Sequence, residues 1–357
     1  MIPHVQVLVV GLGPGGASAA RRAAEAGLNV LAVERTRRIG EPVQCAEFVP
    51  SPMGAYTRAD GVLYQRISGM KSVLPSGEVH QSDFPGFMIN RARFDQAIAE
   101  QAVEAGAYLR VQTRIDGLDP VARRAILRSA AGSDEVSYDV LIAADGPHSA
   151  VGRFLGLPAL ETVNTRQYTV TLLSEYADTD IWLSDEYPGG YAWLFPKGDR
   201  ANLGLGADRR YEDDLKAPLE SLHRQLVQSG LVGEEIFSRT GGAIPVGGLR
   251  EHLVQDGCLF VGDAAGLTHP ITGGGISAAV ISGERAGECA AAYLDGQADA
   301  FDEYEEDVRD QFEATIARAV SRRAYLNRHW RTQSAQHDDT MRKGWIAFSE
   351  YFSPAEA

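Results

Sequence analysis

A near-continuous apolar run, Val5–Val10, ends in Gly11-Leu12-Gly13-Pro14-Gly15-Gly16, and this junction constrains the chain more than any other stretch. The run reads as a buried parallel strand. The alanine-rich Ala17–Ala26 reads as a helix stopped by Gly27, and Val30–Glu34 as the next strand. Together they form a βαβ unit. Gly11 permits the tight turn, Gly13 lets backbone approach a pyrophosphate, and Gly16 allows close helix–strand packing. The following helix offers free N–H groups and a positive dipole end to phosphates. Glu34, closing the second strand, is placed to accept from both hydroxyls of an adenosine ribose and disfavours a 2′-phosphate. Arg35, beside it, is grouped with the cofactor-binding residues.

This fingerprint alone does not separate NAD from FAD; two later turns do. Ala144-Asp145-Gly146 follows a predicted strand at Val140–Ala144, and Gly262-Asp263 follows another at Leu259–Val261. Asp263 can hydrogen-bond the ribityl or pyrophosphate portion of a flavin. Gly273-Gly274-Gly275 would expose backbone N–H groups toward isoalloxazine N1 and O2. The helix that begins at Gly275 and Ile276 would point its positive end at a reduced, anionic flavin. Early and late motifs in this order imply FAD.

Composition narrows the setting. A net charge of −14 argues against nucleic-acid binding. No apolar stretch reaches the roughly 18 residues of a membrane span, and the first strand runs into a glycine turn rather than a cleavage site. Three scattered cysteines, Cys45, Cys258 and Cys289, fit neither a disulfide framework nor a zinc site; they suit a reducing cytoplasm. No metal-ligand spacing appears among the eight histidines.

The expected fold class is α/β: a discontinuous Rossmann-like FAD-binding domain, an antiparallel β-sheet substrate domain and C-terminal helices. Residues 1–65, 86–165 and 253–296 are assigned to the first. Residues 66–85 and 166–252 go to the second, on their short alternating runs separated by turns such as Pro188-Gly189-Gly190. A helix is expected at Arg91–Ala105 and another within 211–229. Residues 297–357 form the C-terminal helical segment, whose aromatics Tyr325, Trp330, Trp345, Phe348, Tyr351 and Phe352 would pack on the body, cap the substrate opening, or meet a partner or a membrane surface.

Four stretches carry a family resemblance: Gly40–Glu47, Ile89–Asp95, Gly190–Pro196 with its Tyr-x-Trp-x-Phe-Pro pattern, and Gly262–Ile276. They resemble the geranylgeranyl reductase family, within the flavoprotein superfamily of aromatic hydroxylases and flavin halogenases. The resemblance implies FAD, reduction of isolated prenyl double bonds, and an apolar substrate. It places Arg91 near the FAD, Cys45 close to its ring, and Trp193 and Pro196 on the substrate side. Ala46 stands where the family commonly has glycine. Halogenases carry Trp-x-Trp-x-Ile-Pro, which Tyr191 and Phe195 break, and they need a lysine near the substrate. Of the four lysines (Lys71, Lys197, Lys216 and Lys343) only Lys71 lies in the region expected to face it.

Cys45 is the candidate proton donor, since a thiol near pKa 8.5 keeps a proton to give; the alternative is a small buried hydrophobe. Glu47 is a proton source, a polar contact to the flavin, or a surface carboxylate. Tyr191, Trp193, Phe195, Pro196 and His269 are the substrate-binding candidates, with core packing or loop hydrogen bonding as the alternatives. Two activities remain open: hydride transfer from reduced FAD to a carbon–carbon double bond, and hydroxylation of an aromatic group, including a protein-bound Trp. A non-catalytic flavin-binding protein is a third reading. The electron donor, whether NADPH, ferredoxin or another, has no fingerprint of its own, and the oligomeric state is undetermined.

Overall fold

The computed structural model of the chain describes residues 2–330 and 332–353, so positions 1, 331 and 354–357 of the segments above lie outside the described residues. The opening run becomes the strand His4–Val10 within an eight-stranded sheet. It pairs in parallel with Gly132–Ala143 on one side and Val30–Val33 on the other. Cys258–Phe260 and Tyr108–Arg110 extend the parallel set outward. Register aligns the strand ends: Val10 stands opposite both Ala143 and Val33, and Ala143 opposite Phe260. The turns that follow therefore emerge side by side on one edge. Backbone bonds carry the alignment one residue further. Gly11 N–H donates to Val33 O at 2.8 Å, Ala144 N–H to Val10 O at 2.8 Å, and Val261 N–H to Ala143 O at 3.0 Å. Ligands of open parallel sheets bind outside such a carboxyl edge.

Helices Pro14–Glu25, Arg91–Glu104 and Ile276–Leu294 form close to their expected positions. The first and last pack through glycine: a Cβ on Gly283 would stand 2.1 Å from Gly15 O, and one on Gly287 2.6 Å from Ala19 O. This contact sets helix Pro14–Glu25 beside helix Ile276–Leu294. Gly132–Ala143 is much longer than the expected Val140–Ala144, because its first half pairs with the strand Arg124–Ser129 of an unanticipated hairpin completed by Arg114–Asp119. Alternate residues there (Ile115, Ala125, Leu127 and Val136) are buried, but the intervening charges obscure the pattern in sequence.

A second eight-stranded sheet runs in the order Val232–Thr240, Thr162–Leu172, Arg200–Ala207, Ala192–Lys197, Asp178–Trp182, Gly69–Val73, Val79–Ser82, with Ala243–Pro245 also paired to Thr162–Leu172. It is antiparallel as expected with one exception: Gly69–Val73 pairs in parallel with Asp178–Trp182. The long excursion between these strands removes the hairpin constraint that imposes antiparallel pairing. Leu63–Ile67 departs from the expected layout too, joining Phe48–Pro50 and Gly86–Ile89 in a small third sheet.

Helix Lys216–Gln228 covers one face of the second sheet, burying Leu219, Leu222 and Leu226 against Tyr168, Leu194, Leu203 and Leu205. The opposite face carries Ile181, Leu183 and Trp193, and the C-terminal segment packs on it through Trp330, Met341, Trp345, Phe348 and Tyr351. That segment consists of the long helix Ala300–His329, the short helix Asp338–Gly344 and the 3-10 turns Gln333–Gln336 and Ser349–Phe352. Packing on the body is thus its arrangement; Tyr325 is half-buried and Phe352 exposed. No described helix is long and apolar enough to cross a membrane.

Candidate functional site

At the adenosine end the three fingerprint glycines have distinct surroundings. Gly11 takes φ +97°, and a Cβ there would stand 2.3 Å from Ala144 O; one on Gly16 would stand 1.9 Å from Gly11 O. Both positions are closed by the protein itself. Gly13 differs: a Cβ there meets nothing within 4 Å, so this backbone borders open space at the helix N-terminus. Glu34 Oε2 accepts from Leu12 N–H at 3.0 Å and Oε1 from Thr36 N–H at 2.9 Å. Those bonds fix the carboxylate and leave a further lone pair on each oxygen for ribose hydroxyls. Arg35 is exposed beside it.

Asp145 supplies a second observation. Its Oδ2 accepts from Ala150 N–H at 2.6 Å and Val151 N–H at 3.1 Å, while Oδ1 is buried without a partner among the described residues. Burial raises this carboxyl, with Ser149 and the backbone donors opposing. Gly146 follows at φ +83°. An orphaned buried acceptor on the same sheet edge as the open Gly13 backbone fits a long dinucleotide with hydroxyl groups along its length, and these residues accommodate FAD.

At the flavin end, Thr268 Oγ1 donates to Asp263 Oδ1, and a Cβ on Gly275 would stand 2.8 Å from Thr268 Oγ1. The expected triple of free glycine N–H groups is reduced. Gly273 N–H donates to His269 O at 2.9 Å and Gly274 N–H to Thr272 Oγ1 at 3.3 Å, because the turn after Pro270 closes on itself. The N–H groups that open the helix at Ile276 remain for a ligand, as at any helix N-terminus. His269 is spent in the same turn. Its Nδ1 lies 3.2 Å from Thr272 N and 3.4 Å from Ile271 N, and its Nε2 is 3.3 Å from Tyr351 Oη. Burial pushes it down to about 4, so it is a neutral turn-former joined to the C-terminal segment rather than a free contact for substrate.

Cys45 lies on the stretch that leads into the small third sheet, with the guanidinium of Arg91 beside its thiol. Burial pushes the thiol up; Arg91 and a 3.2 Å bond from Glu47 N–H to Sγ pull the other way. Burial disfavours charge on Arg91 as well, yet a bidentate pair with Asp95, at 2.8 and 3.1 Å, outweighs it and holds the guanidinium firmly cationic. Burial raises the Asp263 carboxyl, against its bond from Thr268 and the charge of Arg91. One fixed cation therefore faces Cys45 and Asp263 together. Glu47 is no surface carboxylate: it is 2% exposed, at φ +71°. Its Oε1 accepts from Arg91 N–H at 2.9 Å, and its Oε2 from Asn202 Nδ2 at 2.9 Å and from Lys197 Nζ.

Across from this cluster stands the face of the second sheet that carries Tyr191, Trp193 and Phe195 at alternate positions. Tyr191 Oη donates to Thr272 O, and its ring meets Trp193 at 5.7 Å between centroids and Trp345 at 4.9 Å, both edge-on. Trp193 Nε1 donates to Gln167 Oε1 at 3.1 Å, and Gln167 Nε2 donates to Cys45 O at 3.0 Å. Gln167 and Asn202 are site residues the sequence reading missed; only the register across three strands reveals them. By strand alternation Pro196 shares the face of Ala192 and Leu194 rather than that of Trp193. Lys71 is corrected. Paired opposite Asp180, it lies on the opposite face with Tyr176 and Asp178, while Lys197 shares the face of Trp193 and is bound to Glu47. Cys258 and Cys289 are buried in the core, as expected.

Beyond Tyr191 the space is nearly full. A cavity of about 20 Å³, lined by Leu183, Tyr191, Ile271, Trp330, Met341 and Trp345 among others, has room for little more than a water.

Known proteins resemble this chain over most of its length. The family model for the geranylgeranyl reductase catalytic domain matches residues 161–241, the heart of the second sheet. A digeranylgeranylglycerophospholipid reductase of Methanocella arvoryzae is 36% identical over 333 residues, 87% of this chain and 84% of that protein. The enzyme of the same name from Methanosarcina acetivorans is 36% identical over 305 residues, 80% and 74% of the two chains. Among solved structures, a geranylgeranyl bacteriochlorophyll reductase-like protein of Thermoplasma acidophilum superposes with a TM-score of 0.87 at 27% identity, covering 98% of this chain and 94% of the other. A flavin-dependent brominase shares the fold at TM-score 0.74 and 18% identity, over 91% and 89% of the chains. With a third of its residues identical to named reductases over most of both chains, the protein belongs to the geranylgeranyl reductase family of flavin-dependent oxidoreductases and is an enzyme.

Proposed function

We propose that this enzyme saturates isolated carbon–carbon double bonds in the prenyl chains of a lipid, holding FAD along the carboxyl edge of the parallel sheet. Reduced FAD, when bound, supplies the hydride. Gly13 and the N-terminus of helix Pro14–Glu25 take the pyrophosphate, Glu34 the adenosine ribose, and Asp145 and Asp263 the remaining polar length. Cys45 supplies the proton that completes the addition. Burial keeps its thiol protonated near neutral pH, and the Arg91 cation stabilises the sulfur once the proton has left. Tyr191, Trp193 and Phe195 form the apolar wall that presents the double bond and excludes water. His269, pushed down to about 4 by burial, carries no imidazolium proton at neutral pH.

The observation that carries this reading is the meeting of Cys45, Arg91 and Asp263 opposite the Tyr191–Trp193 wall, in a chain that matches named prenyl-lipid reductases along its length. A prenyl substrate needs a pocket on the order of 300 Å³ or more. The cavity beside Tyr191 falls far short, so that cavity does not itself hold the chain.

The test is anaerobic. Protein reduced chemically and mixed with a digeranylgeranyl glycerolipid should yield product with two hydrogens added per bond, with matching reoxidation of the flavin. An intact lipid under these conditions, together with an oxygen-containing product from an aromatic substrate in air, would replace this reading with a monooxygenase.

A further inference from the structure

Glu47 combines features that a proton donor does not need. Its carboxylate takes three donors: Arg91 N–H at 2.9 Å, Asn202 Nδ2 at 2.9 Å and Lys197 Nζ. Arg91 opens helix Arg91–Glu104, while Asn202 and Lys197 come from two neighbouring strands of the second sheet. With both oxygens engaged by these donors, the carboxylate is committed to holding the chain around it. Its backbone is held at φ +71°, a region L-residues rarely occupy without compensation. In that conformation its N–H points at the Cys45 sulfur, at 3.2 Å. The same sheet holds the flanking chain in place: Thr240 Oγ1 donates to Val43 O at 2.8 Å, Gln167 Nε2 to Cys45 O at 3.0 Å, and Asn202 Nδ2 to Ala46 O at 3.2 Å.

We propose that Glu47 is a positioning residue: the three-donor clamp on its carboxylate fixes a strained backbone whose N–H supports the Cys45 sulfur as a thiolate. The clamp thereby ties the acidity of Cys45 to the sheet that forms the substrate wall. This deepens the proton-donor role given to Cys45 above. It stands or falls on the acidity of the thiol, which is measurable without turnover.

The groups acting on Cys45 give the proposal a decisive sign. Arg91 and the Glu47 N–H favour its thiolate; the Glu47 carboxylate and any charge on Tyr191 oppose it. By charge alone, Glu47→Ala removes an anion and makes Cys45 more acidic. By positioning, the same variant releases the backbone, withdraws the N–H and makes Cys45 less acidic. Glu47→Gln removes the charge and keeps one oxygen to accept from Asn202 and Lys197, at the cost of the bond from Arg91 N–H.

The rate of Cys45 alkylation by iodoacetamide, followed against pH in flavin-loaded protein and localised by mass spectrometry, reads this directly. Cys258 and Cys289 are buried and give the background. Expected for Glu47→Ala is a profile whose midpoint moves to higher pH, so that at a fixed pH below the midpoint the alkylation rate falls roughly in proportion to the lost acidity of the thiol. Glu47→Gln should hold the wild-type midpoint or move below it. A midpoint that moves to lower pH or stays in place in Glu47→Ala overturns the proposal. If Glu47→Ala fails to fold, Asn202→Ala serves: it removes no charge and loosens the same clamp, so a midpoint moved to higher pH supports the proposal and an unmoved midpoint overturns it. Lost lipid reduction with normal Cys45 titration in the wild type would count against the proposed reaction and leave this clamp intact.

Discussion

Replacing Gly13 and Gly16 separately by alanine distinguishes a glycine required by a ligand from one required by the fold. Gly13 sits at φ −69° and ψ −172°, a conformation alanine adopts freely, and its Cβ would meet nothing within 4 Å. Reduced entropy of the unfolded chain stabilises Gly13→Ala by about 0.4–1 kcal/mol. Loss of glycine's advantage at a helix N-cap costs up to about 1 kcal/mol. The two offset, so flavin-free Gly13→Ala should melt within about 2 °C of wild type. The added methyl, however, occupies the side from which a pyrophosphate must approach. Overpacking of that kind costs about 1–3 kcal/mol, a loss of roughly 5- to 150-fold in FAD affinity. In Gly16→Ala the Cβ would fall 1.9 Å from Gly11 O and 2.9 Å from Ala144 Cβ. There the turn must open before any ligand arrives, and the flavin-free protein should lose about 1–3 kcal/mol and several degrees of melting temperature. Scanning fluorimetry of flavin-free protein and a flavin fluorescence titration measure the two quantities. Equal destabilisation of both flavin-free variants, or unchanged FAD affinity in Gly13→Ala, would refute the placement of the pyrophosphate at Gly13.

Four further outcomes are expected. Cys45→Ser should bind FAD as wild type does but lose turnover by about 100-fold or more, the usual contribution of a positioned proton donor; single-turnover flavin reoxidation checks it. Asp208→Asn strands the buried Arg323, whose Nη2 it accepts from at 2.7 Å, and should cost about 3–5 kcal/mol by denaturant titration. Asp180 is pushed up to about 6 by burial, against a bond from Tyr176 Oη and the charge of Lys71. Its folded value lies above its unfolded one, so its contribution is fully present below about pH 4 and is lost as pH rises through about 6. Asp180→Asn should flatten the stability–pH profile across that window, by at most about 3 kcal/mol. Trp345→Ala removes the ring against Tyr191 and the bond from Nε1 to Ser72 Oγ at 3.0 Å. It should destabilise the protein by about 3–5 kcal/mol, read by denaturant titration.

The cofactor side was legible because its signals are local. A strand followed by a glycine turn and an acidic residue after the next strand are read within one βαβ unit, and parallel register then brings Asp145 and Asp263 alongside without further instruction. The substrate side was legible only in part. Alternation along Tyr191–Phe195 correctly gave one face, yet which face, and what shares it, depends on partners far away in the chain. Gln167 and Asn202 enter the site by antiparallel register with Trp193 and Phe195, and Lys71 leaves it by the parallel register that sets it opposite Asp180. Glu47 shows a different limit. A charged residue beside a cysteine reads as exposed or reactive, and nothing local announces that an amide and a lysine more than a hundred residues downstream will bury it.

Substrate choice can change on one side of the site far more readily than on the other. The electron-carrying edge is built by strand register and by helices locked at Gly15 and Gly283, where a single Cβ would force them apart; it tolerates little. The wall facing it is closed by side chains from the separate C-terminal segment: Trp345 on Tyr191, Tyr351 beside His269, and Arg322, which anchors that segment by donating to Tyr351 O at 2.9 Å. Substitutions in that segment alter the shape offered to a substrate without moving any strand of the parallel sheet. The Cys45 stretch touches both sides, through Arg91 on one and through Gln167, Asn202 and Lys197 on the other. A change in substrate wall that displaces Gln167 or Asn202 will therefore be felt at the thiol, whereas one confined to Trp345 will not. Comparing the Cys45 alkylation profile in Gln167→Ala and Trp345→Ala tests that asymmetry: the midpoint should move in the first variant and stay in the second.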